Sequence, residues 1–330
     1  NENPLGPSER VVERVRAISP EQISRYQHPS EKLKQELSGF LEVDESRLML
    51  VDGCDGGIEI FAQTFFMEET EVAIPAPSFH RYRVHSEKMG ANIRPVLPES
   101  GYHPSIDRLK EIDSDFMFLA NPQNPSGERF GVDDLRELIE GFDGHLILDE
   151  ALAHINQDHT TLVSENVTVL GSFSKVFGLA GLRAGYIFSD QTSELKKCSS
   201  PFKISSVAQE AVSEALKDEK HLEKTRNLIE TELSFLKSGL RQLGLDHSDS
   251  KSMTLLIDLS ESEFRGRASE LSSKLEHKGV KVVEGNNFSG LGQSSLRISV
   301  RDRESNEKFL RLLSDVLDNP IEIKEMKGEK

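Results

Sequence analysis

The sequence predicts an α/β protein built on a largely parallel sheet, and three observations carry that reading. Short β-rich apolar runs alternate with longer amphipathic stretches from about residue 30 to residue 200, as strands alternate with covering helices in a parallel sheet. Several of the runs end in clusters of Gly, Asn, Asp or Ser, residues that turn a chain out of a sheet. Finally, 330 residues with 36% hydrophobic content can bury a full core as one large or two moderate domains.

In chain order, the expected strands are Leu48 to Val51, Val72 to Ile74, Phe116 to Leu119, Leu146 to Leu148, Val167 to Leu170 and Ala184 to Phe188. Ligands in open α/β sheets bind outside the carboxyl ends of the strands, so the polar clusters there should converge on one cleft. Ser206 to Gly239 is long, charged and periodic, with Ala208, Val212, Ala215 and Leu216 on one face, and predicts a connecting helix or pair of helices. Beyond it, Thr254 to Leu259, Val280 to Val283 and Leu296 to Val300 read as strands, with Ser262 to Lys278 as a helix. That is a smaller α+β unit. The expected division is an N-terminal arm over 1–28 that joins the small domain, a large domain over 29–210 and a small one over 211–330, with a charged tail after Asn319 that should fray.

Composition narrows the function classes. Cys54 and Cys198 are far apart and lack any Cys/His ligand spacing, so neither a disulfide framework nor a zinc site is expected. A formal charge of −16 repels nucleic acid, and no basic cluster interleaved with aromatics offsets it. The longest apolar runs, such as Phe116 to Ala120, fall far short of the ~18–20 residues that span a bilayer. Asn1-Glu2-Asn3-Pro4 is not a basic, apolar leader, and a cytoplasmic location is expected.

Four segments carry chemistry. In Gly171-Ser172-Phe173-Ser174-Lys175, a lysine just past a strand end lies among hydroxyls and glycines, with Arg183 eight residues on. This suits a lysine that forms a Schiff base beside a phosphate pocket, where the hydroxyls and guanidinium grip the phosphate. Taken singly, the lysine could be a surface residue of a Gly/Ser loop. Ser172-x-x-Lys175 also matches the S-x-x-K of acyl-enzyme serine hydrolases, but no S-D-N or K-T-G partner accompanies it.

His145 to Leu148 is a buried-type strand closed by Asp149. A carboxylate there can hold a proton on a pyridine nitrogen, although an Asp at a strand end is also a common helix cap or metal ligand. Asn121-Pro122-Gln123-Asn124-Pro125-Ser126-Gly127 makes a rigid turn whose amide could donate to a phenolic oxygen. Asp52-Gly53-Cys54-Asp55-Gly56-Gly57 joins a strand to the amphipathic stretch Ile58 to Phe66, and glycines at a helix start expose N–H groups to a phosphate.

In this order and spacing, the four segments resemble the fold-type I enzymes of pyridoxal 5'-phosphate (PLP), in the class I/II aminotransferase family. The likeness is narrower still to the group containing histidinol-phosphate aminotransferase and threonine-phosphate decarboxylase. It runs from Asn1-Glu2-Asn3-Pro4-Leu5-Gly6-Pro7 through Arg25-Tyr26 and Pro77-Ser78-Phe79 to Leu296-Arg297-Ile298-Ser299-Val300.

The resemblance implies the type I fold, with a mostly parallel seven-stranded sheet between helices and a smaller α+β domain. It implies PLP as cofactor, covalently held by Lys175, with Asp149 at the ring nitrogen, Asn124 at the ring oxygen and Phe79 stacked on the ring. The phosphate cup falls on Cys54, Asp55, Ser172, Ser174 and Arg183. Tyr26 matches a tyrosine lent by the other subunit, which implies a homodimer with shared active sites. Arg297 matches the arginine that grips the substrate, Asn3 falls among the substrate-binding positions, and Arg301 is either a second anion clamp or a surface arginine paired with Glu304.

Two departures bear on the reaction. The aminotransferases usually read D-E-A-Y where this chain has Asp149-Glu150-Ala151-Leu152, and an arginine for a substrate phosphate is replaced by Val282-Val283-Glu284. Val300-Arg301-Asp302-Arg303-Glu304 and Asn287-Phe288-Ser289-Gly290-Leu291 look closer to the decarboxylases. Transamination of a small amino acid or amino-phosphate is the first reading and decarboxylation of a phosphorylated amino acid the second. A regulatory module that binds PLP without turnover would need a basic helix-turn-helix, and none is present.

Overall fold

The computed structural model describes residues 2–153 and 164–320. Asn1, and the tail from 321 that was expected to fray, lie outside the described residues.

Seven strands form the main sheet: β1 (Leu48–Val51), β2 (Glu71–Pro75), β3 (Asn92–Val96), β4 (Phe116–Ala120), β5 (His145–Asp149), β6 (Val167–Ser172) and β7 (Gly185–Ser189), in the order β1-β7-β6-β5-β4-β2-β3. The pairs β2–β3, β2–β4, β4–β5 and β5–β6 are parallel, whereas β7 runs antiparallel to both β6 and β1. Successive side chains of a strand face opposite sides of a sheet, and the core divides accordingly. Leu146 and Leu148 of β5 join the apolar cluster on one side, while Ile147 between them joins the cluster on the other.

With helices on both sides, the inner strands bury both faces and so read as unbroken apolar runs. One layer holds α3 (Glu31–Leu41), α7 (Val132–Gly141) and α9 (Ser206–Leu216); the other holds α4 (Gly53–Phe65), α5 (Arg81–Lys88) and α8 (Thr192–Lys197). The N-terminal arm carries α1 (Glu9–Arg16), which starts on the cap Ser8 and lies on α9, where Arg10 and Arg14 pair with Glu214 and Glu210.

A second, antiparallel sheet has the order β10-β11-β9-β8, from β8 (Asp246–His247), β9 (Thr254–Asp258), β10 (Val283–Glu284) and β11 (Ser295–Ser299). It packs with α10 (Glu219–Gln242), α11 (Ala268–His277) and α12 (Arg303–Val316). The connecting segment is a pair of helices, α9 and α10, and the expected boundary between 210 and 211 falls inside α9.

The sequence did not reveal β3, because Asn92-Ile93-Arg94-Pro95-Val96 is a mostly exposed edge strand, where polar residues and Pro are tolerated. The helix expected from Ser262 begins only at Ala268, since Gly266 takes φ +69° and the chain turns there first. Among the described residues, no helix is long and apolar enough to cross a membrane, and no cluster of His, Cys, Asp and Glu could hold a metal ion.

Candidate active site

The register of the main sheet brings four sequence-distant segments to one edge. Ala120 pairs with Asp149, and Asp149 with Leu170. Val51 of β1 and Ser172 of β6 both pair with Gly185 of β7. The turn after β4, the end of β5, the loop after β6 and the start of α4 therefore meet. Gly185 is required for this closeness: a Cβ there would come within 2.7 Å of the Gly171 carbonyl oxygen and 2.8 Å of Gly53.

These ends enclose a cavity of about 310 Å³ lined by Cys54, Asp55, Phe79, Asn124, Asp149, Ser172, Ser174, Lys175 and Arg183. Tyr26, Asn3, Arg297 and Arg301 are not on its wall. Arg297 reaches it indirectly, for its Nη1 donates to Oδ1 of Asn124 at 3.0 Å. Arg297 and Arg301 line a neighbouring cavity of about 380 Å³ under β10 and α12, and Glu2 lies on both. The pairing of Arg301 with Glu304 does not form; Glu304 is in the first turn of α12.

Asn3 is a departure from expectation. Its amide donates to the Val176 carbonyl at 2.7 Å and to Thr225 at 3.2 Å, and its oxygen accepts from the Leu5 N–H. With both ends of the buried amide committed, Asn3 ties the N-terminal arm to the loop after Lys175. Tyr26 is 89% exposed and rests on Phe202, with ring centroids 5.0 Å apart.

At the head of α4, Gly53 takes φ +87°, and a Cβ there would lie 2.8 Å from Nη2 of Arg183. The guanidinium thus lies against the first turn of the helix, where N–H groups lack helical partners. Arg183 Nη1 donates to the Ala180 carbonyl at 3.1 Å and reaches Ser174 Oγ at 3.5 Å, while Ser172 Oγ accepts from the Ser174 N–H. Asp55 accepts from Arg81 Nε at 2.6 Å and faces His85 Nε2 at 3.1 Å. The hydrogen bonds from His85 and Arg81 hold its carboxyl well below the usual carboxylate range.

Asp149 and Lys175 are both buried against their charged forms. Burial raises the Asp149 carboxyl, opposed by hydrogen bonds from Tyr82, the Ala151 N–H and the Cys54 thiol. Burial lowers Lys175, and the charge of Arg297 adds to the effect, while Asp149 opposes it. A lysine so depressed releases its proton more readily than a surface amine. Asn124, on the cavity wall, accepts from Arg297 through Oδ1. Leu152 is buried on the same wall.

Tyr82 escaped the sequence reading. It lies in the largely polar α5, three residues past Phe79, where an aromatic at helical spacing reads as core. It stacks on Phe118 with centroids 4.7 Å apart, yet its hydroxyl donates to Asp149 Oδ2 at 2.5 Å.

The family model for "Aminotransferase class I and II" matches residues 1–313. The chain belongs to this family. This aminotransferase is 33% identical to a histidinol-phosphate aminotransferase of Bacillus pumilus (strain SAFR-032), over 96% of this chain and 89% of the relative. Its fold is similar to the histidinol-phosphate aminotransferase of Clostridium acetobutylicum, with TM-score 0.87, 21% identity and coverage of 97% of this chain and 98% of the other. The histidinol-phosphate aminotransferase of Sinorhizobium meliloti, solved with PLP, gives TM-score 0.86 at 20% identity, covering 96% and 89% of the two chains. An L-threonine-O-3-phosphate decarboxylase of Porphyromonas gingivalis gives 0.81 at 23%, covering 95% and 97%. The aminotransferase is a PLP-dependent transferase of fold type I. Its cavity suits that cofactor: a glycine-headed helix with Arg183 and two serines fits a phosphate, a buried carboxylate fits a ring nitrogen, and a proton-poor lysine fits an aldehyde.

Proposed function

We propose that this aminotransferase removes the amino group of an amino-phosphate of the histidinol-phosphate kind, on PLP held by Lys175. The observation that carries the substrate class is the pair Arg297 and Arg301 on one cavity beside the Lys175 cavity. The strand β10 supplies no arginine; Val282 and Val283 form the wall, and Glu284 turns away to accept from Ser269 Oγ. Arg301 would supply a second guanidinium there, with Lys281 and Lys308 on the same cavity, and the two guanidinium groups offer the planar donors that suit a phosphate.

When bound, PLP supplies an aldehyde that condenses with amines and a ring that withdraws electron density from the α-carbon. The chain does the rest. The head of α4, Ser172, Ser174 and Arg183 would hold the phosphate, Asp149 would keep a proton on the ring nitrogen, and the amide of Asn124 would donate to the ring oxygen. Phe79 would pack against the ring. Lys175 would hold the aldehyde and, when freed by a substrate amine, would be the group placed to take a proton from the α-carbon and return it, for which its lowered proton affinity suits it. Arg297 and Arg301 would orient the bound substrate, and that orientation would select the bond that breaks.

Decarboxylation is the second reading, favoured by one observation: Leu152, with no hydroxyl to offer, faces the cavity. Incubation with histidinol phosphate and a 2-oxo acid, and separately with phosphothreonine, distinguishes the two. Amino transfer from histidinol phosphate is expected. Carbon dioxide from phosphothreonine, without amino transfer, would establish the decarboxylase instead.

A further inference from the structure

We infer that Tyr82 and Cys54 are positioning residues for the cofactor's ring nitrogen, holding Asp149 charged and aimed at the cavity; this rests on the assignment of Asp149 to that nitrogen. Asp149 sits at the end of β5, 6% exposed. Three donors converge on it. Tyr82 Oη donates to Oδ2 at 2.5 Å and the Ala151 N–H to Oδ1 at 2.9 Å, and the Cys54 thiol, on the same cavity wall, adds to the hydrogen bonding that opposes the rise of the carboxyl.

The donors come from three separate elements, which fixes the plane of the carboxylate as well as its charge. Ala151 belongs to the same turn and donates to Oδ1 through its backbone N–H. Cys54 extends from the first turn of α4, and Tyr82 from the buried face of α5. Tyr82 is held in turn by its nearly parallel stack on Phe118, interplanar angle 3°. A buried carboxylate without donors takes up a proton. It then has no negative charge to offer a pyridine nitrogen, and the ring loses its strength as an electron sink.

Burial also keeps the two donors protonated, with the Tyr82 phenol and the Cys54 thiol both pushed well above their ordinary values. Neither group competes with Asp149 for negative charge.

The test uses the cofactor-loaded enzyme and three readouts: the pH dependence of kcat, the pH titration of the bound cofactor's visible absorbance, and melting of the cofactor-free protein. Tyr82→Phe keeps the stack on Phe118 and removes only the hydroxyl. Its kcat should fall roughly tenfold, the loss of one charge-assisted hydrogen bond. The acid limb of its profile and the absorbance titration should both move to higher pH, because Asp149 now protonates more readily. Cys54→Ala should move both readouts the same way by less, and Cys54→Ser, which restores a donor, should return them. If Tyr82→Phe does not fold, the Cys54 pair still decides, and an acid limb unmoved by Cys54→Ala overturns the inference. Wild-type profiles in Tyr82→Phe alongside a disabled Asp149→Ala also overturn it, leaving Asp149 in place. A fully active Asp149→Ala would instead remove the assignment on which the inference rests.

Discussion

Arg297 donates to the side-chain oxygen of Asn124 across 3.0 Å, and this bond joins the antiparallel sheet to the turn after β4. One guanidinium thereby orients the amide and also faces the neighbouring cavity. Arg297→Lys retains the charge but loses the planar fork. It should raise KM for the anionic substrate roughly 10- to 100-fold, the loss of one or two charge-assisted hydrogen bonds. It should also alter the bound cofactor's absorbance, through Asn124. A KM change without a spectral change would separate the two roles.

Lys175→Ala should abolish covalent attachment of the cofactor and nearly all turnover while leaving the fold intact. Borohydride reduction of the unmodified enzyme followed by peptide mapping checks the site directly. A modified lysine elsewhere in the chain would overturn the assignment.

Tyr26 and Phe202 form an exposed aromatic pair, 89% and 42% accessible. If each active site borrows Tyr26 from its neighbour, Lys175→Ala and Tyr26→Ala subunits should complement each other. In an equimolar mixture allowed to exchange, random pairing in a two-fold dimer restores about a quarter of the sites. No recovery on mixing, with a monomeric mass in solution, would exclude a shared site.

Burial holds the imidazole of His145 down to about 4, against ~6.5 for an ordinary histidine. Between these values the unfolded chain binds more protons than the folded one, so stability rises with pH there. The contribution is complete above the unfolded value and is lost as pH falls toward 4. The Tm of the cofactor-free protein should therefore drop between pH 6.5 and 4, and His145→Gln should flatten part of that slope. The flattening will be incomplete, because burial holds His103 at about 4 too. An unchanged slope would assign the acid sensitivity elsewhere.

Leu152 faces the cavity where aminotransferases of this group commonly carry a tyrosine. Leu152→Tyr adds a phenolic donor near the ring oxygen, which should favour the deprotonated form of the bound cofactor and shift its absorbance titration to lower pH. In a transaminase the change should leave turnover intact or raise it. Depressed turnover would show that Leu152 shapes the pocket.

The large sheet was legible because its inner strands bury both faces, so residues such as those from Leu146 to Leu148 stand out from polar surroundings. The polar clusters that close these strands were legible for the same reason, and the structure brings Asn124, Asp149 and Lys175 to one cavity. What failed to show were relations between segments. Asn3 has the composition of a binding residue, yet partners from residues 176 and 225 engage it. Tyr82 reads as core and is core, but only tertiary packing reveals where its hydroxyl points. The strand β3 lacks the burial that makes a strand visible.

Gly185 faces Val51 on one side and Ser172 on the other, and the first of these partners lies more than a hundred residues upstream. Strand β1 therefore has no place in the sheet until β7 has been synthesised. Such distant pairing closes a long loop and forms late. A ribosome-bound chain ending before Gly185 has already made Lys175, yet it cannot bring the glycine turn of α4 against the loop after β6. The head of α4, Ser172, Ser174 and Lys175 are thus all synthesised before the strand that brings them together, and the phosphate grip is assembled only once β7 is in place.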